Sequence, residues 1–254
     1  MTTHVLSDTG VLTGRSLRHI LRSPDTIITT AVTPIALMLL FTYVFGGAID
    51  IGSGESYIDY LLPGILLITI ASGVAYTAYR LFLDMQGGIF ERFQSMPIAR
   101  SSVLWAHVLT SLVANLVSLA VVVGVALIMG FRTGASLAGW LAAVGILVLF
   151  TLSLTWIAVI AGLSAKTIDG ASAFSYPLIF LPFISSAFVP TDSMPGPVAW
   201  FAENQPVTAI VDTLRALFAH QPVGTEIWVA LAWLVGILVV AYGAAIAIYR
   251  RKIS

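Results

Sequence analysis

The sequence predicts an all-α integral membrane protein. It has six transmembrane helices with cytoplasmic termini, an N-terminal amphipathic interfacial helix, and an external re-entrant helical hairpin before the last span. Three observations carry this reading. Only 9% of the 254 residues are charged and 58% are hydrophobic, against roughly 25% charged in soluble domains. Those few charges are clustered, with long uncharged runs between the clusters. Ten of the twelve Lys and Arg residues then fall on one side of the resulting topology. A mean hydropathy of +0.98 fits the same class. Zero net charge and this composition exclude a disordered chain, a coiled coil and a nucleic-acid binder with a basic face. The absence of Cys excludes disulfides, thiolate metal sites and Cys nucleophiles.

The uncharged runs define the spans. Between Asp25 and Asp50 lie 24 residues, between Asp59 and Arg80 lie 20, and between Arg100 and Arg132 lie 31. Between Arg132 and Lys166 lie 33, between Asp169 and Asp192 lie 22, and between Glu226 and Arg250 lie 23. A helix needs about 20 mostly apolar residues to cross a hydrocarbon core about 30 Å thick. Each run therefore holds one crossing and is too short for two with a turn. The spans fall near 27–48, 60–80, 103–129, 138–163, 171–189 and 227–249. The chain divides into a cytoplasmic N-terminus over 1–26, a membrane domain over 27–250 and a tail over 251–254. Six buried helices of a soluble protein would have no solvated shell around them.

Orientation follows from the basic residues, which favour the cytoplasmic side. An even number of crossings places both termini together. That side holds Arg15, Arg18, Arg22, Arg80, Arg92, Arg100, Lys166, Arg250, Arg251 and Lys252, and the other holds Arg132 and Arg215. Trp105, Trp140, Trp200 and Trp228 fall near predicted interfaces, where amphipathic rings sit. The first 24 residues lack the apolar core of a signal peptide. From Leu12 to Arg22 they place Arg15, Arg18 and Arg22 on one helical face and Leu17, Ile20 and Leu21 on another. A helix resting on the anionic leaflet and an ordinary basic flank explain this equally well.

Three stretches are not simple spans. The loop from Asp84 to Arg100 sets Ile89, Phe90, Phe93 and Met96 at helical spacing beside Glu91 and Arg92, and Pro97 stops the helix. It reads as a docking helix for a soluble partner or as a connector lying on the membrane. The external stretch from Pro190 to Thr225 is apolar yet contains Pro190, Pro195, Pro197, Pro206 and Pro222. Trp200 and Phe201 mark a short first helix. Pro206 suits the first position of a second, whose stripe is Val207, Ile210, Val211, Leu214, Leu217 and Phe218, with Asp212 and Arg215 opposite. Neither piece is long enough to span, which favours a hairpin tucked into the outer leaflet over a surface loop. The fifth span carries Pro177 and Pro182, so it is kinked or interrupted.

Missing chemistry is equally informative. No Asp, Glu, Lys or Arg lies in the interior of a predicted span, which argues against proton relays and voltage sensing. His4, His19, His107 and His220 show no metal spacing. There is no nucleophile elbow or His-Glu-x-x-His. The only Lys-Thr pair, Lys166-Thr167, follows Ala165 and has no phosphate-binding glycine before it. Energy for uphill transport must come from another chain.

The residues resemble a known family. Phe188-Val189-Pro190, Met194-Pro195, Asn204-Gln205-Pro206-Val207-Thr208 and Val211-Asp212-Thr213-Leu214-Arg215 resemble the C-terminal signature of type-2 ABC exporter permeases. Gly88, Glu91-Arg92 and Met96-Pro97-Ile98-Ala99-Arg100 resemble that family's first cytoplasmic loop. Leu12-Thr13-Gly14-Arg15-Ser16-Leu17-Arg18 and Phe45-Gly46-Gly47-Ala48-Ile49 look most like its daunorubicin-resistance branch. One departure is Gln205 before Pro206, where the family has Asn; this should alter a helix cap only.

The resemblance implies a half-transporter in the bacterial plasma membrane. Two permeases would pair as a homodimer or heterodimer, and each would bind a separate ABC ATPase carrying ATP and Mg; this chain itself holds no cofactor or metal and binds no nucleic acid. Arg15, Arg18, Gly88, Phe90, Glu91, Arg92, Phe93, Pro97 and Arg100 would couple to the ATPase. Cargo would pass along the dimer interface, with Thr69, Ser72, Tyr76, Ser175, Tyr176, Ser185 and Ser186 as candidates for the path. Each can equally be an interhelical hydrogen-bonding residue. The expected activity is export of amphipathic drug-like or lipid-like compounds. Export of a lipid-linked polysaccharide and an ATP-independent channel or scaffold remain alternatives.

Overall fold

The computed structural model describes residues 24–47, 56–87 and 100–253. These residues form helices and short connections. Helix α1 spans Pro24–Leu39 and continues as a wider π-helical segment, Leu40–Phe45. Helices α2 (Tyr57–Gln86), α3 (Arg100–Met129) and α4 (Leu137–Ser164) follow. Short helices α5 (Ile168–Ala173) and α6 (Ser175–Phe180) run into a 3-10 turn, Leu181–Ile184. A second 3-10 turn, Thr191–Ser193, precedes α7 (Gly196–Asn204), α8 (Pro206–Phe218) and the final α9 (Glu226–Ile253).

Helices α2, α3, α4 and α9 are long and apolar enough to cross a membrane. At about 1.5 Å per residue each exceeds 40 Å, more than the roughly 30 Å hydrocarbon core. The expected first and fifth spans are shorter apolar helices, Thr30–Phe45 and Ile168–Ile184. The fifth differs most from a single helix over 171–189. Pro177 and Pro182 have no backbone N–H to give to the preceding turn. Ser185 is then fully extended at φ −145° and ψ −178°, so helix ends there. The loop expected from Asp84 begins later than anticipated. Helix α2 runs on to Gln86 and closes with the Gly87 amide on the Leu83 carbonyl at 2.8 Å.

Helix α2 is the centre of the molecule. Ile58, Leu61, Leu62, Ile65, Leu66, Leu67, Ile68 and Ile70 are essentially inaccessible. It packs against α1, α3, α4, α5, α6 and α8. Helix α9 is the more apolar of the two but lies outside, against α4 and α8. Close approach of α2 to α4 depends on Gly162, where a Cβ would lie 2.8 Å from the Ala78 carbonyl oxygen. Small residues at such crossings let backbones approach in membranes, where hydrophobicity alone does not drive helices together. A second apolar cluster joins α3, α4 and α9. Trp156, fully buried, meets Trp105 edge-on at 5.2 Å and Tyr242 at 4.8 Å, a favourable aromatic geometry.

The chain alternates between two ends. One end carries the start of α2, the α3–α4 turn and the α7–α8 hairpin. There Thr133 Oγ1 donates to the Phe218 carbonyl at 2.8 Å, and the Arg132 amide donates to Asp59 Oδ1 at 3.1 Å. The other end carries the end of α2, the start of α3, Lys166, and the Arg250, Arg251 and Lys252 turn of α9.

Candidate functional site

At the hairpin end, the segment after Ile184 leaves helical geometry, so its peptide groups need partners from elsewhere. Buried backbone polar groups are rarely left unpaired, least of all at membrane depth. Helix α8 supplies them. The Arg215 Nη2 donates to the Ser186 carbonyl at 2.9 Å and to the Tyr60 carbonyl at 3.2 Å, and its Nε reaches the latter at 3.4 Å. The guanidinium also lies 3.8 Å from the Tyr60 ring centroid, a cation–π contact. Nη1 pairs with Asp212 Oδ1 at 2.7 Å, which also accepts from Ser186 Oγ at 2.7 Å. Tyr57 donates its hydroxyl to the Phe188 carbonyl at 3.1 Å. Gln205, the departure from the family pattern, acts as its own cap: its Oε1 accepts from the Val207 amide at 2.9 Å. Its Nε2 donates to the Ile184 carbonyl at 3.4 Å.

This cluster brings together three residues singled out in the sequence, Ser186, Asp212 and Arg215, while the hydroxyl of the adjacent Ser185 bonds within its own segment to the Pro182 carbonyl and the Ala187 amide. Pro206 opens α8, while Pro190 and Pro195 precede the Thr191–Ser193 turn and α7. Trp200 is exposed.

A second polar group lies deep between α2, α3 and α4, and sequence reasoning missed it. Thr77 donates to Ser111 Oγ at 2.7 Å, and Ser111 meets Thr155 Oγ1 at 3.4 Å. Asn115 Nδ2 donates to the Ser111 carbonyl at 2.9 Å, while its buried Oδ1 has no hydrogen-bond partner. That oxygen rests on Gly73, where a Cβ would be 2.1 Å away. Thr30 and Ser118 add a hydroxyl pair at 3.2 Å between α1 and α3. The signal that could have found this group is the spacing of Ser111, Asn115 and Ser118, which lie at i, i+4 and i+7 on one face of α3.

The candidate path residues divide into two sets. Thr69, Ser175, Ser185 and Ser186 are buried, and their hydroxyls are spent on Ile65, Ser172, Pro182 and Asp212. Ser72 and Tyr76 are half-exposed on α2, and Tyr176 on α6 is 62% exposed. Arg80 sits 5.5 Å from the Tyr76 ring centroid. Phe180 and Ile184 continue the exposed strip on the fifth segment. Helix α1 joins it through Phe41, which is 6.2 Å from Phe183 and stacked 4.9 Å from Phe188. Helix α1, helix α2 and the α5–α6 segment are thus neighbours.

Of the residues expected to couple to an ATPase, Arg15, Arg18, Gly88, Phe90, Glu91, Arg92, Phe93 and Pro97 lie outside the described residues, and Arg100 opens α3. The flanks of that loop are visible. Asp84 in the last turn of α2 pairs with His107 Nε2 of α3 at 3.2 Å. Among the described residues no three acidic or His side chains gather as a metal site would require.

Long apolar helices, buried polar side chains that bond within the bundle and an apolar exterior define a multi-pass integral membrane protein. The chain belongs to the ABC-2 type transporter family, whose sequence pattern matches residues 7–219. It is 28% identical, over 233 residues, to a daunorubicin resistance ABC transporter permease protein of Streptomyces coeruleorubidus, covering 90% of this chain and 81% of that one. It is 26% identical over 249 residues to a probable doxorubicin resistance ABC transporter permease protein of Mycobacterium tuberculosis, covering 97% and 89%. A putative transport permease of Cyanophora paradoxa is 24% identical over 214 residues, covering 83% and 73%.

Proposed function

We propose that this chain is the membrane-spanning subunit of an ATP-driven exporter that moves amphipathic drug-like or lipid-like compounds out of a bacterial cell. The observation that carries the proposal is family membership over most of the chain, with relatives named for daunorubicin and doxorubicin resistance. The sequence has no phosphate-binding loop, so ATP and Mg belong to a separate ABC ATPase. In this reading six segments cross the bilayer, the termini are cytoplasmic, and α7–α8 form a hairpin seated in the outer leaflet. Two copies pair along the strip formed by the first, second and fifth segments. Ser72, Tyr76 and Tyr176 face the cargo: the exposed Tyr176 and half-exposed Tyr76 offer rings with hydroxyls and the half-exposed Ser72 a further hydroxyl, which suits ring-bearing amphiphiles.

Coupling is assigned to Arg15, Arg18 and the stretch from Gly88 to Arg100. The Asp84–His107 pair holds the two helices that flank this stretch, so a push on the loop reaches α2 and α3 together. The test is co-purification of the permease with its ATPase, followed by hydrolysis and dye export in liposomes. Hydrolysis stimulated by an anthracycline supports the reading. Stimulation by lipid-linked polysaccharide alone, or transport that persists with a hydrolysis-dead ATPase, replaces it with one of the alternatives.

A further inference from the structure

Helices α4 and α9 touch along much of their length, yet they leave an open groove of about 700 Å³. Its walls include Ile157 and Ile160 of α4 and Val229, Trp233, Gly236 and Val240 of α9. Every side chain lining it is apolar. Gly236 is exposed in its lining, and an added Cβ there would meet nothing within 4 Å. The groove runs along α9 from Val229 to Ala244, about 22 Å at about 1.5 Å per residue. Both helices are of crossing length, so this stretch lies at hydrocarbon depth, where the surrounding solvent is lipid.

What lies beyond the groove's lower end identifies its occupant. The last turn of α9 carries Arg250, Arg251 and Lys252, all exposed. Arg250 is six residues past Ala244, about 9 Å along the helix. An apolar slot at chain depth, with cations at the adjoining interface, complements one ligand class: an acyl chain joined to an anionic headgroup. We propose that the α4–α9 groove binds an anionic phospholipid, with one acyl chain between the helices and the phosphate headgroup held at Arg250 and Lys252. The site is separate from the strip assigned to cargo and stands whatever the cargo is.

The experiment is native mass spectrometry of the full-length permease released from mixed phosphatidylglycerol and phosphatidylcholine nanodiscs. The wild type should retain phosphatidylglycerol in preference to phosphatidylcholine. Gly236→Leu puts a side chain into the slot at a position whose Cβ meets no neighbour within 4 Å, and should lower that retention at least about tenfold by displacing the apolar contact. Arg250→Gln with Lys252→Gln leaves the slot intact and should abolish only the preference for phosphatidylglycerol. Equal retention of both lipids by the wild type, or unchanged retention in Gly236→Leu, would overturn the proposal. So would a Gly236→Leu variant that changes the number of chains in the particle instead of its lipid content, since the groove would then seat a second copy.

Discussion

Individual residues in this protein act through close contacts between helices. Gly73 is the sharpest case, because Asn115 Oδ1 occupies the space a Cβ would need. Alanine usually stabilises a helix relative to glycine by about 0.5–1 kcal/mol. Here overpacking should reverse the sign, so Gly73→Ala should cost about 1–3 kcal/mol. Thermal unfolding in detergent checks this, and combining it with Asn115→Ala should recover part of the loss. A stabilised Gly73→Ala would show that the two helices are not in contact there. Arg215 is the second case. Its planar fork serves two carbonyls, a carboxylate and a ring, which an ammonium cannot reproduce. Arg215→Lys should therefore lower stability nearly as much as Arg215→Met, by about 1–3 kcal/mol. Full rescue by Lys would mean that charge alone matters.

At the scale of elements, the fifth segment is broken where two prolines withhold donors. Pro177→Ala with Pro182→Ala restores them. The distance between spin labels at Asp169 and Thr191 should then lengthen as the segment straightens. An unchanged distance would assign the break to the Arg215 cluster instead. The loop flanked by α2 and α3 supports another prediction. Charge reversal at Glu91 or Arg92 should leave the permease folded and bound in the membrane while cargo-stimulated ATP hydrolysis falls. Normal stimulation in both variants would remove the docking role. These elements also show what a sequence can disclose. Charge gaps located the long helices because charges are excluded from hydrocarbon, and Pro206 and the apolar stripe marked α8 because a helix end and a buried face have local signatures. The central place of α2 was not legible. The peripheral α9 is more apolar than the central α2, and lipid and protein neighbours favour the same side chains. Nor was the Thr77, Ser111, Asn115 and Thr155 group, because it joins three helices that only packing brings together.

At the scale of the whole molecule, the chain is a permease with polar contacts turned inward and apolar surface turned out. Among the described residues the few charges sit at the two ends of the bundle, where Arg215 ties α8 to the Tyr60 and Ser186 carbonyls and the His107–Asp84 contact joins α2 to α3. No charged relay is needed inside a path if work is delivered from another subunit, so transport depends on that subunit. The most direct measurement is ATP hydrolysis by the purified permease and its neighbouring ABC ATPase in liposomes, with and without an anthracycline. The expected result is a stable complex whose hydrolysis rises with the compound and whose dye export stops when the ATPase is hydrolysis-dead. Failure of the permease to associate with any ABC ATPase, with transport continuing regardless, would contradict it.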